Sequence, residues 1–184
     1  MNEKKKIRIC YPFVGNSIGG SHLSSLELLK ELDKSKFDTK LLLHKKGILY
    51  EHLSNEGIRP IFLNIKSFVG QKKGFITNFL NILLNIFRLT SYINKNNIDI
   101  VHLNDSSAGL TWVIPTMLSK AKLIWHQRIV FPDWNLYKIL SFFPEKIICI
   151  SDFVHKSLPK FNLNKSVTIY NPISLKIKRE KIFY

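Results

Sequence analysis

Apolar and polar residues recur along this chain with two different periods, and the two periods follow one another almost from end to end. Short apolar runs rich in β-branched residues predict strands at 7–11, 39–43, 60–63, 99–103, 122–126, 146–150 and 166–170. Stretches with apolar residues at helical spacing lie between them and predict helices at 21–32, 49–55, 75–94, 108–119, 134–142 and 152–158. Strands that alternate with helices form βαβ units, so the pattern predicts an α/β fold: a Rossmann-like parallel sheet with helices on both faces.

The apolar content of the predicted strands is consistent with a sheet that is buried on both sides. Residues 41–43 and 147–150 are apolar at every position, as two-sided burial requires. The chain has 184 residues, which suits one domain with a single core. Its two cysteines, Cys10 and Cys149, lie in predicted strands and lack the spacing of a metal site or a disulfide framework. We therefore expect reduced core cysteines, no metal, no cofactor and a cytoplasmic location.

The longest apolar stretch runs from Phe75 to Ile93. Polar residues interrupt it at helical spacing: Asn78, Asn81, Asn85 and Arg88. A polar stripe of this kind predicts an amphipathic helix and argues against a membrane span. The apolar side of the helix either packs on the sheet or lies at an anionic membrane surface, an environment that the flanking Lys72 and Lys73 would favour.

Charge is the strongest compositional signal. Lysine and arginine together number 28 against 13 acidic residues, which gives a net charge of +15. Such an excess attracts nucleic acid, anionic lipid or phosphorylated ligands, although a lysine-rich solvated surface is an alternative explanation. The basic residues form small scattered clusters without a base-reading motif, so a nucleic-acid partner is disfavoured.

Residues 15–20 form a glycine-containing loop between the first strand and the first helix. The adjacent Gly19 and Gly20 would let a phosphate approach the main chain, and the helix N-terminus beyond them favours negative charge. A serine-type cap is expected at Ser21. The alternative is that the glycines serve the geometry of the turn alone.

Polar side chains follow several predicted strands where each one ends. They are Asn104 and Asp105, His126 and Arg128, Ser151 and Asp152, and Asn171. In a parallel α/β sheet the ligand lies beyond the carboxyl ends of the strands, so these residues form the candidate site. Each has a simpler role as an alternative: a surface position for Arg128, a helix cap for Asn104, Asp105 and Ser151, and a hinge for Asn171. His102, inside a strand, is expected to be a packing histidine.

Five short motifs occur in a fixed order. They are Gly19-Gly20, Asp99-Ile100-Val101-His102, Trp125-His126, Ile148-Cys149-Ile150-Ser151-Asp152 and Ile169-Tyr170-Asn171-Pro172. The ordered set resembles the N-terminal half of a family-4 glycosyltransferase of the GT-B fold. The resemblance implies transfer of a sugar from an activated donor, commonly a nucleotide sugar, with retention at the anomeric carbon. It places Gly19 and Gly20 near the donor phosphates and His126, as a catalytic residue, near the transferring sugar. Asn104, Asp105, Arg128 and Ser151 would line the acceptor cleft.

The resemblance also implies a domain organisation. Residues 1–172 would form the acceptor-side domain and residues 173–184 the start of an interdomain linker, with the donor-binding domain absent. The expected function is the acceptor-binding half of a retaining glycosyltransferase, inactive alone, which meets its donor only with a C-terminal domain or a partner chain. The alternative is a non-catalytic module that binds an anionic glycan, a lipid surface or a partner subunit.

Overall fold

The structure is a computed structural model, and it describes residues 5–65, 75–104 and 106–171. It contains a parallel sheet in the order β3-β2-β1-β4-β5-β6-β7. The strands are β1 (Ile7–Phe13), β2 (Phe37–Leu43), β3 (Ile61–Phe62), β4 (Ile100–Leu103), β5 (Lys122–Gln127), β6 (Lys146–Cys149) and β7 (Ser166–Thr168). Each predicted strand is found, and the predicted Rossmann-like architecture is confirmed.

A helix connects each pair of consecutive strands. They are α1 (Gly20–Glu31), α2 (Ile48–Asn55), α3 (Phe75–Lys95), α4 (Ser106–Met117), α5 (Asn135–Leu140) and α6 (Asp152–Lys156). The sequence did not predict the 3₁₀ helix at Lys160–Lys165. The last strand is shorter than expected and ends at Thr168. Tyr170 lies beyond it, and its hydroxyl donates a hydrogen bond to the Asp152 carboxylate at 2.9 Å.

Alternate residues of the strands enter two hydrophobic cores, one on each face of the sheet. Ile9, Tyr11 and Phe13 of β1 pack with α1 and α2. Cys10, between them, enters the larger core with residues of α3, α4, α5 and α6. Both cysteines are buried free thiols, as predicted, and burial raises the pKa of the Cys10 thiol to about 12.

In helix α3 the polar and apolar residues do not face the sides that the predicted polar stripe would give them. Asn85 is only 7% exposed, while Leu84 and Phe87 are 61% and 74% exposed. The spacing explains the difference, because Asn85 lies one and two helical turns before Leu89 and Ile93, which are fully buried. The side of the helix that packs on the sheet therefore includes the asparagine, and an apolar side remains exposed. None of the described helices is long and apolar enough to cross a membrane.

Candidate functional site at the carboxyl edge of the sheet

The glycine loop leads directly into α1, and Gly19 is the N-cap of that helix. Its backbone N–H donates to Nδ1 of His22 at 3.1 Å. The predicted cap at Ser21 is therefore wrong: Ser21 lies inside the first turn, and the imidazole of His22 reaches back to the helix start instead.

The two ends of the glycine loop are packed very differently. Gly15 has a φ of +93°, and a Cβ at this position would overlap the carbonyl oxygen of Lys45. Gly47 approaches the same loop from the other side, and its Cβ would lie 2.7 Å from the Gly15 oxygen. Around Gly20, in contrast, a Cβ would find nothing within 4 Å among the described residues. The start of the loop is thus fixed by close backbone packing, and its end opens onto free space.

The half-buried guanidinium of Arg128 is the centre of the candidate site. It connects the end of β5 to α1, to the end of β4 and to the segment after β7. Its two terminal nitrogens contact five neutral side chains: Ser24 Oγ at 2.6 Å, Asn104 Oδ1 and Asn171 Oδ1 at 3.1 Å, His126 Nδ1 at 3.3 Å and Ser25 Oγ at 3.4 Å. No carboxylate in residues 5–65, 75–104 and 106–171 forms an ion pair with it.

The contact with Arg128 also defines the tautomer of His126. A guanidinium nitrogen can only donate, so Nδ1 of His126 accepts and the ring proton lies on Nε2. That Nε2–H is buried and has no hydrogen-bond partner in the described part of the chain. His126 therefore presents an unused donor at the carboxyl edge of the sheet.

Both histidines of the site are held in the neutral form. The rings of His102 and His126 stack with their centroids 5.7 Å apart. Burial, assisted by the positive charge of Arg128, lowers the pKa of His102 to about 4 and that of His126 to about 3. Burial also lowers the pKa of Arg128 to about 10, which leaves the guanidinium charged at neutral pH.

The structure brings some of the predicted site residues together and leaves others apart. Asn104 is 2% exposed and joins Arg128 and His126. Ser151 caps α6 by accepting a hydrogen bond from the Val154 N–H at 3.2 Å, and no hydrogen bond among the described residues connects its side chain to the cluster. Asp105 lies outside the described residues. His102 is the packing histidine that was expected, in ring contact with Tyr11 as well as with His126.

Sequence reasoning missed the two serines that α1 contributes. Ser24 and Ser25 lie just over one turn beyond the helix start, and both accept hydrogen bonds from Arg128. Their separation from Gly19 and Gly20 could have indicated them, because residues about one helical turn apart lie at the same end of α1. Within the described residues, no group of three or more His, Cys, Asp or Glu side chains could hold a metal ion.

A known protein family matches this chain over most of its length. The model of Glycosyltransferase Family 4 matches residues 18–177. The chain belongs to glycosyltransferase family 4. No curated protein matches it at a significant level.

Solved structures support the fold of this family-4 chain. A glycosyltransferase from Rickettsia africae superposes with a TM-score of 0.68 at 21% identity, over 91% of this chain and 43% of that one. HepE of Anabaena, solved in complex with UDP and glucose, gives a TM-score of 0.66 at 14% identity, over 91% of this chain and 45% of that one. A UDP-N-acetylglucosamine 2-epimerase gives 0.67 at 16% identity, over 89% and 48%.

These similarities confirm the resemblance to the N-terminal domain of a GT-B glycosyltransferase. The family-4 chain spans less than half the length of each of these structures. At these sequence identities the superpositions show the fold alone. One of the three proteins is an epimerase, so the shared fold does not define the chemistry.

Proposed function

We propose that the chain is the acceptor-binding half of a retaining glycosyltransferase. It would take part in transfer of a sugar from a nucleotide-sugar donor to a glycan or lipid-linked acceptor, in the assembly of cell-surface polysaccharide or glycolipid. Family membership supports the reaction class. The observation that carries the proposal is the unpartnered Nε2–H of His126 at the edge of the sheet where α/β folds bind ligands.

His126 would act as a neutral hydrogen-bond donor. Its low pKa keeps the imidazole uncharged at neutral pH, and Arg128 occupies the other ring nitrogen. Nε2–H would therefore donate to a sugar hydroxyl that displaces the groups now covering it, whereas neither nitrogen is available to remove a proton. The role follows from geometry and tautomer together.

Gly19 and Gly20 would contact the donor phosphates. The open space beside Gly20 supports this role, because the packing of the described residues does not require a glycine there. A side chain at position 20 would start in open space, so we expect a bulky one to fill the space that a phosphate needs and to leave the fold intact.

The donor would bind chiefly to a second domain, supplied by a longer chain or by a partner. The short coverage of the solved structures supports this view. Residues 1–172 would be the acceptor-side domain, and residues 173–184, which lie outside the described residues, would begin the linker. Residues 151 and 105 stay candidate cleft positions.

Transfer activity tests the proposal in a chain joined to a family-4 donor domain. We expect His126→Ala to lower kcat/KM about 10- to 100-fold, because one hydrogen bond in the transition state is lost. Gly20→Trp is expected to abolish transfer with little change in Tm. His52→Ala, on α2, is the matched control and should transfer normally. Full activity in both site variants would refute the assignment, and acceptor or vesicle binding without any transfer would favour the non-catalytic module.

We also propose that the protein is cytoplasmic and contacts the inner face of the membrane through α3. Leu80, Leu83, Leu84 and Phe87 are 47–74% exposed on this helix, and Arg88 is exposed beside them. An exposed apolar surface next to positive charge is typical of helices that lie in an anionic interface.

Co-sedimentation with vesicles of phosphatidylglycerol and phosphatidylcholine tests the membrane proposal. Phe87→Glu should weaken binding about tenfold or more, because it replaces an inserted apolar side chain by a charge that the anionic lipid repels. Phe153→Glu is the matched control, since Phe153 on α6 is also 74% exposed. Equal losses in the two variants would point to non-specific adsorption and contradict a role for α3.

A further inference from the structure

We propose that Arg128 forms a subsite for a phosphate group carried by the acceptor. The inference rests on the proposed function, because it specifies what kind of acceptor the same edge of the sheet would receive.

The charge of Arg128 has no counter-ion in the described part of the protein. All five side-chain contacts of its terminal nitrogens are with neutral groups. A partly desolvated charge without an opposite partner is costly, and an arriving anion removes that cost. Asp105, which follows Asn104, is not among the described residues.

Several hydrogen-bond donors around this charge are not saturated by the described residues. Nε–H of Arg128 and Nε2–H of His126 are buried and have no partner among the described groups. Ser24 Oγ accepts from Arg128 at 2.6 Å, and its own hydroxyl has only a long contact of 3.4 Å with the Ser21 carbonyl. These donors come from β5 and from α1, so they do not lie in one plane. A phosphate, with several oxygens at tetrahedral angles, suits such a set better than a planar carboxylate.

Asn171 marks where an anion would enter. It is exposed, and it is connected to the cluster by a single hydrogen bond from Arg128 at 3.1 Å. A phosphate oxygen that takes the place of this neutral amide oxygen would gain a charge-assisted hydrogen bond, which is roughly twice as strong. The other partners of Arg128 are buried or half-buried and would keep the guanidinium in place.

A second basic region lies at the opposite edge of the sheet, and its charges are arranged differently from those of the Arg128 cluster. It is a groove of about 490 Å³ lined by Lys5, Lys6, Arg8 and Lys34, together with Asp38. There Arg8 lies 3.8 Å from the Asp38 carboxylate and the lysines are exposed. That groove attracts anions diffusely, whereas Arg128 is a half-buried, oriented charge without an ion-pair partner among the described residues.

Binding of methyl phosphate to the 184-residue chain tests the inference, with NMR titration at constant ionic strength and neutral pH. We expect saturable shifts centred on the Arg128 Nε–H and the His126 ring. Arg128→Gln should weaken binding about tenfold or more, because a charge-assisted contact is lost. Arg128→Lys should retain part of the affinity, since the charge stays and the fork is lost. Lys34→Gln removes the same charge from the basic groove and should leave these shifts unchanged.

Two further ligands separate the sources of the phosphate. Uridine diphosphate represents the donor and glucuronate a carboxylate acceptor. Binding that depends on Arg128 for uridine diphosphate or glucuronate, but not for methyl phosphate, would overturn the proposal. Equal weakening by Arg128→Gln and Lys34→Gln would also overturn it, because the attraction would then be general charge.

Two further comparisons separate a folding defect from loss of the subsite, and loss of the subsite from failure of the proposed function. If Arg128→Gln lowers Tm so far that the chain is not folded, Ser24→Ala decides, with a severalfold loss of methyl phosphate binding expected and unchanged binding refuting the subsite. The proposed function fails separately, when a completed enzyme with an intact Arg128 transfers no sugar. Absence of phosphate binding in an enzyme that does transfer would refute the subsite alone.

Discussion

Acidification from pH 7 to about pH 4.5 is expected to remove on the order of 4 kcal/mol from the free energy of unfolding through two histidines alone. His102 and His126 have pKa values of about 4 and about 3 in the folded protein, against an ordinary value of 6.5. The unfolded chain therefore binds protons that the folded chain does not. The contribution of these two histidines to the free energy of unfolding is fully present above about pH 6.5. It is lost progressively as the pH falls toward their pKa values in the folded protein.

Urea denaturation at a series of pH values measures this loss. We expect His126→Gln to reduce the slope of the unfolding free energy against pH by about 1.4 kcal/mol per pH unit between pH 6 and 4.5. The reason is that one of the two histidines that take up a proton on unfolding is no longer present. The comparison is made with His52→Gln on α2, which leaves the buried pair intact. Parallel pH profiles for the parent chain and both variants would contradict the origin of acid sensitivity in this pair.

Gly15→Ala is expected to destabilise the protein by about 3 kcal/mol. Two costs add at this position. The φ of +93° is a backbone conformation that alanine rarely adopts, and its Cβ would overlap the carbonyl oxygen of Lys45, which is backbone and cannot rotate away. Urea denaturation at neutral pH measures the change.

Two other glycines separate these costs. Gly57 has a φ of +73° but open space around its Cβ position, so Gly57→Ala should lose only the backbone contribution, about 1 kcal/mol. Gly20→Ala meets neither obstacle and lies in the first turn of α1, so it should be neutral or slightly stabilising. A loss for Gly15→Ala no larger than for Gly57→Ala would show that the loop can move away from Lys45.

The order and type of the main elements could be predicted from sequence because the chemistry that defines them is local. The apolar run at 147–150 is short, rich in isoleucine and bounded by Lys146 and Ser151, which favours a buried strand, and the glycine loop followed by a helical pattern defines β1 and α1. The ends were less predictable. Tyr170 continues the apolar pattern of β7, yet its hydroxyl bonds to Asp152 and the strand stops at Thr168.

Helix α3 shows where periodicity stops being informative. The spacing of its asparagines correctly indicated a helix, but it could not say which side would face the sheet. Packing of Leu89 and Ile93 decided that, and it carried Asn85 into the interior. Local sequence defines a stripe, and only tertiary contacts decide where the stripe points.

The candidate site was predictable only in part. The rule that ligands lie beyond strand ends nominated His126, Arg128 and Asn104, and the structure brings these three together. It could not nominate Ser24 and Ser25, because their contacts with Arg128 span more than a hundred residues of sequence. Nor could it give the tautomer of His126, which depends on one guanidinium contact.

The contrast between Gly15 and Gly20 would separate two kinds of selection in a library of random variants. Sorting such a library for folded, protease-resistant chains should retain many residues at position 20 and almost none at position 15. Sorting for sugar transfer in a completed enzyme should restrict both. Position 20 is therefore where the sequence would drift first if selection for the proposed donor contact were lost and selection for the fold remained.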